Sequence, residues 1–162
     1  MKNLEQLQKR LLQIRYVRDE EREEYRSLME EIYNLGKTED VFRVLCSGVV
    51  DESVDANNDV IYDAWREYIE HFYPLYEEEK YINQLLNNAN IFIPHATMIF
   101  SYLIFRLLND ENIQKKIMNA LANISSANNP NYFIIKDIFL NNLKRDKPHP
   151  LSKNILDSFK EE

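Results

Sequence analysis

Glycine, which tight turns depend on, is scarce in this chain: only Gly36 and Gly48 occur among 162 residues, together with five prolines. An all-β fold needs many reversals built from such residues, and this sequence supplies few of them. Apolar residues make up 44% and charged residues 29%, which suits one domain with a buried core. The sequence therefore predicts a single all-α domain over residues 1–162.

Apolar residues recur at helical spacing along the chain. A first helix is predicted from Asn3, which can cap it, and the charged run RDEEREEYR that follows suits a solvated continuation. Gly36 is placed to end the next apolar stretch, and Thr38 and Asp59 are placed to begin two later helices. Pro94 suits the first turn of a further helix, which is apolar around most of its circumference and is therefore predicted to be buried.

The predicted helices form a rhythm. Every second helix starts near residues 60, 95 and 132, a spacing of about 36 residues. Helix pairs at such a period are typical of HEAT-like α-solenoids, in which each pair buries its face on the next. Six helices of similar length in an ordinary bundle would give similar spacing. The predicted fold class is therefore all-α, with helical hairpins stacked as a short HEAT-like α-solenoid or a compact bundle.

Catalytic constellations are scarce. Glu67 and His71 stand four residues apart on one predicted helix and could present two metal ligands, but no second motif of this kind exists. The only cysteine, Cys46, is interpreted as a core residue, and His95 as a structural hydrogen-bonding residue. Two glycines cannot build a Gly-rich phosphate loop. We therefore expect no enzyme activity, no metal site and no cofactor.

No segment is typical of export or membrane insertion. The N-terminus lacks an apolar signal core, and no apolar run approaches the ~18 residues of a spanning helix. We therefore expect a cytoplasmic protein without membrane contact. The net charge of −7 also argues against nucleic acid as a partner, because phosphate binding needs clustered Lys and Arg.

The acidic charge is concentrated in one window. Residues 36–80 contain four basic and twelve acidic residues, whereas residues 1–35 contain seven and eight, and residues 81–162 contain nine and seven. Such a field attracts basic partners, and tyrosines that lie off the apolar stripe suit an interface as anchors. The predicted partner-binding residues are Asp51, Glu52, Asp55, Tyr62, Asp63, Glu67, Glu70, Tyr73, Tyr76, Glu77, Glu78 and Glu79.

A local role is the alternative for part of this window. Glu77, Glu78 and Glu79 stand where the first turn of the next predicted helix begins. Negative charge there interacts favourably with the helix dipole, by roughly 0.3–1 kcal/mol for each residue. This interpretation accounts for one or two glutamates, but not for the charge of the whole window.

The order of the motifs resembles that of a known family. Four segments precede a closing pair of helices: TEDVFRVLCSGVVDE, VIYDAWREYIEHF, EEEKYINQLL and IPHATMIFSYLIFRLLND. They are similar to immunity proteins of the immunity protein 30 type. The likeness covers residues 25–145 and leaves out an N-terminal helix in residues 1–24 and a short C-terminal helix in residues 146–162. Thr97 and Met98 depart from it, because that family often has an acidic residue and Trp there, and the turn YPLYEE is longer and more aromatic.

The resemblance implies a helical, HEAT-like immunity protein of a bacterial polymorphic toxin or contact-dependent inhibition system. Such a protein is cytoplasmic, needs no catalytic group and neutralises one cognate secreted toxin domain. Many of these toxins are basic nucleases, which an acidic inhibitor can block by occlusion. The alternative is a helical adaptor or regulatory subunit in a cytoplasmic complex. The toxin's reaction, the choice between active-site and exosite inhibition, and the oligomeric state stay open.

Overall fold

Helices form all the regular secondary structure in the part of the chain that the computed structural model describes, residues 3–74, 76–124 and 129–159. The prediction of an all-α fold is therefore confirmed. The α-helices are α1 (Leu4–Ile14), α2 (Arg22–Asn34), α3 (Glu39–Ser47), α4 (Asn58–Ala64), α5 (Glu78–Asn87), α6 (Ala89–Phe92), α7 (Thr97–Leu108), α8 (Glu111–Ile124), α9 (Tyr132–Leu143) and α10 (Ser152–Ser158).

Side-chain caps start two helices where the sequence predicts them. The Asn3 side chain accepts a hydrogen bond from the Gln6 backbone N–H at 2.9 Å, and the Gln6 side chain accepts one from the Asn3 N–H. Thr38 Oγ1 accepts from the Val41 N–H at 3.2 Å. Gly36 follows α2 with a φ of +128°, a conformation that glycine adopts without strain. The predictions for Asn3, Thr38 and Gly36 are confirmed.

Three helix boundaries differ from the prediction. The first helix ends before the charged run RDEEREEYR, which forms a 3₁₀ turn (Asp19–Glu21) and then the start of α2. Asp59 does not cap α4, which begins one residue earlier; its carboxylate instead forms an ion pair with Arg22 of α2. Pro94 precedes α7 rather than lying in its first turn.

The helices pack around a shared apolar core. α1 contacts α2 and α3, α7 contacts α8, and α9 contacts α10, while α8 also contacts α5 and α10. The largest side chains in the core include Trp65, Tyr25 and Phe72. Cys46 is fully buried there, as predicted, and burial raises the pKa of its thiol.

One face of α7 is open. Ile104 on the same helix is completely buried, but Met98 is 53% exposed and Tyr102 is 45% exposed. The prediction that the whole helix is buried is wrong on this face, because α7 and α9 leave a groove of about 310 Å³ between them. We name it the α7–α9 groove; its lining is Asp51, Thr97, Met98, Ser101, Tyr102, Phe105, Ile138, Asn141, Asn142 and Arg145.

A wide turn extends α4. Residues Trp65–Ile69 have π-helical geometry and lead into a 3₁₀ turn, Glu70–Phe72. A π turn holds more residues than an α turn, which shifts the residues that face the core. The 3.6-residue period predicts a buried stripe containing Trp65, Tyr68 and Phe72. Trp65 and Phe72 are buried, but Tyr68 is only partly buried, and it lines a groove beside α2.

Candidate protein-binding surface

The predicted partner-binding residues lie in the loop before α4, in α4 with its wide turn, and at the start of α5. Asp51, Glu70, Tyr73 and Glu78 are half-buried, and Tyr76 is buried. The others are exposed: Glu52, Asp55, Tyr62, Asp63, Glu67, Glu77 and Glu79.

Asp51 holds the start of α7. Its Oδ1 accepts from the Ile99 N–H at 2.9 Å and its Oδ2 from the Met98 N–H at 2.8 Å. Its own N–H donates to the His95 carbonyl at 2.7 Å. A carboxylate in this position satisfies helix N–H groups that have no partner within the helix, and it interacts favourably with the helix dipole. Both Asp51 oxygens are therefore engaged within the fold.

Tyr76 is not an exposed anchor. Its side chain is only 9% exposed, and its ring packs edge-on against Phe72 with 5.1 Å between ring centroids. The prediction that it is exposed is wrong because the turn folds back onto the core: the Tyr76 N–H donates to the Phe72 carbonyl at 2.8 Å. Tyr62 is 47% exposed, as predicted for an anchor, and its ring contacts Trp65 edge-on with 5.0 Å between centroids.

Of the three consecutive glutamates, Glu78 forms a contact within the fold, whereas Glu77 and Glu79 are exposed. Glu78 lies in the first turn of α5 and forms an ion pair with Lys116 of α8. Its place in the first turn agrees with the local interpretation, and the ion pair additionally ties α5 to the neighbouring helix. Glu77 and Glu79 are exposed beside it.

An acidic groove of about 340 Å³ runs between α2 and the wide turn after α4. Carboxylates line both of its sides: Glu23 and Glu30 from α2, and Asp63 and Glu67 from the facing segment. Within this lining the one described cation is Arg26, which pairs with Glu23 at 3.2 Å. Glu30, Asp63 and Glu67 form no ion pair with any residue that the structure describes.

Tyr68 lies in this acidic groove, half-buried beside the carboxylates. Burial raises the pKa of its hydroxyl, and the charges of Glu67 and Glu30 raise it further. The hydroxyl therefore stays protonated at neutral pH and remains a hydrogen-bond donor. Its ring contacts Tyr33 with 5.4 Å between centroids, which holds the side chain in place.

Sequence reasoning missed the α2 side of the acidic groove. Residues 1–35 have almost balanced charge, so a count over that window gives no signal for Glu23 or Glu30. Spacing along α2 could have found them, because Glu23, Ser27 and Glu30 are separated by four and three residues and share one helix face.

Glu67 and His71 meet in a shallow concave area next to the acidic groove. Asp63, Arg66 and Glu70 complete its lining. Across the described ranges, no three His, Cys, Asp or Glu side chains are arranged to hold a metal ion. The area is therefore an extension of the acidic surface around a single exposed histidine.

Comparison with known proteins adds no relative. No family model matches the chain, and neither a curated protein nor a solved structure matches it. The resemblance to immunity proteins stays a prediction.

None of the described helices is both long enough and apolar enough to cross a bilayer.

Proposed function

We propose that this chain is an immunity-type inhibitor that binds a basic toxin domain, a nuclease, through the acidic groove and blocks it by occlusion. The main support is the unpaired set Glu30, Asp63 and Glu67, which two facing segments hold around one groove. Lys or Arg side chains of a partner would form charge-assisted hydrogen bonds with these unpaired carboxylates.

The surroundings of the groove suit such a partner. Exposed carboxylates in the loop before α4 and at the start of α5 extend the negative field, which speeds the encounter with a basic protein. Tyr62 is exposed next to the groove's Asp63, and its contact with the buried Trp65 limits its freedom. A preorganised tyrosine offers contact area at little entropic cost.

The proposal includes two finer expectations from the sequence. The hairpins stack in a HEAT-like order, which agrees with α8 lying against both α5 and α10. The protein acts in the cytoplasm, where an incoming nuclease would meet its substrate. Tight binding needs no catalytic group in the inhibitor.

The test is charge reversal in the acidic groove. In the triple variant Glu30→Lys, Asp63→Lys, Glu67→Lys, the association rate with the proposed cognate toxin domain should fall by about tenfold or more at low salt. The salt dependence of that rate should become weaker, because long-range attraction is lost. Stopped-flow or surface-based kinetics at several ionic strengths measures both quantities.

A matched control carries the same change in net charge. Glu5→Lys, Asp137→Lys and Asp157→Lys alter three exposed carboxylates outside the groove. Equal association rates for the groove variant and this control would mean that the net charge, and not the groove, steers binding. Unchanged rates in both variants would remove the acidic groove from the binding surface.

A helical adaptor is the second candidate, and the α7–α9 groove favours it. Met98 and Tyr102 are exposed in a groove that also contains Phe105 and Ile138, a composition that suits an apolar segment of another protein. A growth assay in cells that produce the proposed cognate toxin domain separates the two functions. Co-expression of this chain should restore growth if it is an inhibitor and should have no effect if it is an adaptor.

A further inference from the structure

An open pocket of about 290 Å³ lies where the turn after α4 meets α5, α7 and α8. It combines an apolar wall with a cluster of polar groups. We name it the Tyr81 pocket; its lining is Glu70, Tyr73, Tyr81, Leu103, Arg106, Leu107, Asp110 and Ile113.

The hydroxyl of Tyr81 has no hydrogen-bond partner among the described residues, although the side chain is only 2% exposed. It lies with Glu70, Tyr73 and Arg106 in the lining of the pocket. Burial raises the pKa of this hydroxyl well above its ordinary value. The hydroxyl oxygen can accept a hydrogen bond from a ligand that enters the pocket.

Glu70 is the second polar group on which the pocket depends. It is half-buried, and burial raises the pKa of its carboxyl even though Arg106 lies nearby. Arg106 Nε is 3.1 Å from Glu70 Oε1, and Arg106 is the one described cation that pairs with this carboxylate. The Arg106 guanidinium also lies 6.0 Å from the centre of the Trp65 ring.

The charges of the lining favour a cationic ligand. Asp110 Oδ1 accepts from the Asn112 N–H at 2.9 Å, which leaves its second oxygen for another donor. Glu70 and Asp110 therefore supply two carboxylates against the single guanidinium of Arg106. An anion would have to approach both carboxylates to reach a guanidinium that is already paired. Ammonium and guanidinium groups, which only donate hydrogen bonds, complement carboxylate and hydroxyl oxygens.

We propose that the Tyr81 pocket binds one Lys or Arg side chain of the protein partner. The methylene stem lies along Leu103, Leu107 and Ile113, because such stems bury readily against apolar surface. The charged head donates to the Glu70 carboxylate and the Tyr81 hydroxyl. This inference rests on the proposed function only for the identity of the partner.

The position of the pocket fits that partner. Glu70 also lines the concave area that contains Asp63 and Glu67, and those two residues line the acidic groove. The acidic groove and the Tyr81 pocket are therefore linked through shared lining residues, so one basic protein can contact both. Tyrosine and arginine are enriched at binding hot spots, the few residues that contribute most of the binding energy of an interface.

The experiment uses small probes in place of the partner. N-acetyl-lysine amide and N-acetyl-arginine amide are titrated into the full chain, and the amide signals of Tyr81, Arg106 and Ile113 are followed by NMR. N-acetyl-norleucine amide, which has a similar stem and no charge, is the control probe. We expect saturable shifts with both cationic probes at millimolar concentration, and about tenfold weaker binding or none with the norleucine probe.

Two variants test the assignment of the contacts. Glu70→Gln should weaken binding of the cationic probes by about tenfold, and Tyr81→Phe should weaken it by a smaller factor, because a carboxylate binds a cation more strongly than a hydroxyl does. Glu31→Gln removes an exposed carboxylate outside the pocket lining and should leave binding unchanged. Circular dichroism and the thermal midpoint confirm that each variant is folded.

Several outcomes would overturn the inference. They are equal shifts from the norleucine probe, shifts produced by acetate and not by the cationic probes, or unchanged binding in Glu70→Gln. The probes contain no toxin, so the two proposals fail separately. Absence of probe binding refutes the Tyr81 pocket alone, whereas probe binding together with absent toxin binding refutes the inhibitor function alone.

Discussion

The acidic groove and the α7–α9 groove have similar volumes, about 340 Å³ and about 310 Å³, but opposite chemistry. Carboxylates on both sides line the first, whereas exposed Met98 and Tyr102 line the second. Charge acts over many ångströms and raises association rates, while apolar contact acts only after water has left and slows dissociation. A small helical chain can therefore keep the two contributions to binding on separate surfaces.

The two grooves also differ in what builds them. The carboxylates of the acidic groove are exposed, and apart from Glu23 none of them pairs with a described cation. The α7–α9 groove depends on a helix whose other face is in the core. Variants should therefore separate the regions: changes beside the acidic groove alter association, and changes around α7 alter stability unless they fall on its open face.

The largest effect is expected from the buried face of α7. Ile104 is completely buried, so Ile104→Ala should lower the free energy of unfolding by about 2–5 kcal/mol through lost burial and a cavity. Met98→Ala on the open face should change it by no more than about 0.5 kcal/mol. Urea unfolding measures both, and equal losses would mean that Met98 is covered in solution and that the α7–α9 groove is closed.

An intermediate effect is expected at the start of α7. Asp51→Ala removes the carboxylate that accepts from Met98 and Ile99, and should cost about 1–2 kcal/mol of unfolding free energy. Glu52→Ala, at the exposed neighbouring position, should change it by less than about 0.5 kcal/mol. A neutral Asp51→Ala variant would show that α7 begins equally well without its cap, and would leave Asp51 available to a partner.

The smallest effect is a pH dependence of stability that comes from His95. This residue lies just before α7, and its carbonyl accepts a hydrogen bond from the Asp51 N–H. Burial, and then the charge of Arg15, lower the pKa of His95 from its ordinary value of about 6.5. The unfolded chain therefore binds more protons than the folded one just below that value. Stability should be complete above about pH 6.5 and should fall as the pH drops towards the lowered folded pKa.

Arg15, Ile91 and Asp51 also act on the pKa of His95. Its Nε2 lies 3.2 Å from an Arg15 terminal nitrogen and 3.1 Å from the Ile91 carbonyl oxygen, and the Asp51 charge acts in the opposite direction to burial. Urea unfolding between pH 5 and 8 should give a flatter profile for His95→Gln than for the unchanged chain. His71→Gln, at an exposed histidine, is the control. Identical slopes in all three proteins would exclude His95 as the source.

Local spacing predicted much of the fold because much of the fold is local. The caps at Asn3 and Thr38 and the burial of Cys46, Trp65 and Phe72 follow from residues within a few positions of one another. The all-α class follows from periodicity and from the lack of turn residues. These features needed no knowledge of which helices meet.

The features that sequence reasoning missed depend on distant contacts. Asp51 caps a helix whose first turn lies 47 and 48 residues later in the chain. Glu30 joins Asp63 only because α2 packs beside α4. Tyr76 is buried because the chain turns back on Phe72. Charge counts located part of the acidic surface, but its second side and the Tyr81 pocket come from tertiary packing.

The wide turn Trp65–Ile69 holds about one residue more than a regular helical turn. Deleting one residue there would therefore give a regular helix whose following residues keep nearly the same orientation, so that Glu70 would stay near Arg106. The same deletion in the regular part of α4 would instead rotate all following residues by about 100°. The wide turn is therefore a place where the chain can lose one residue and keep its binding surface.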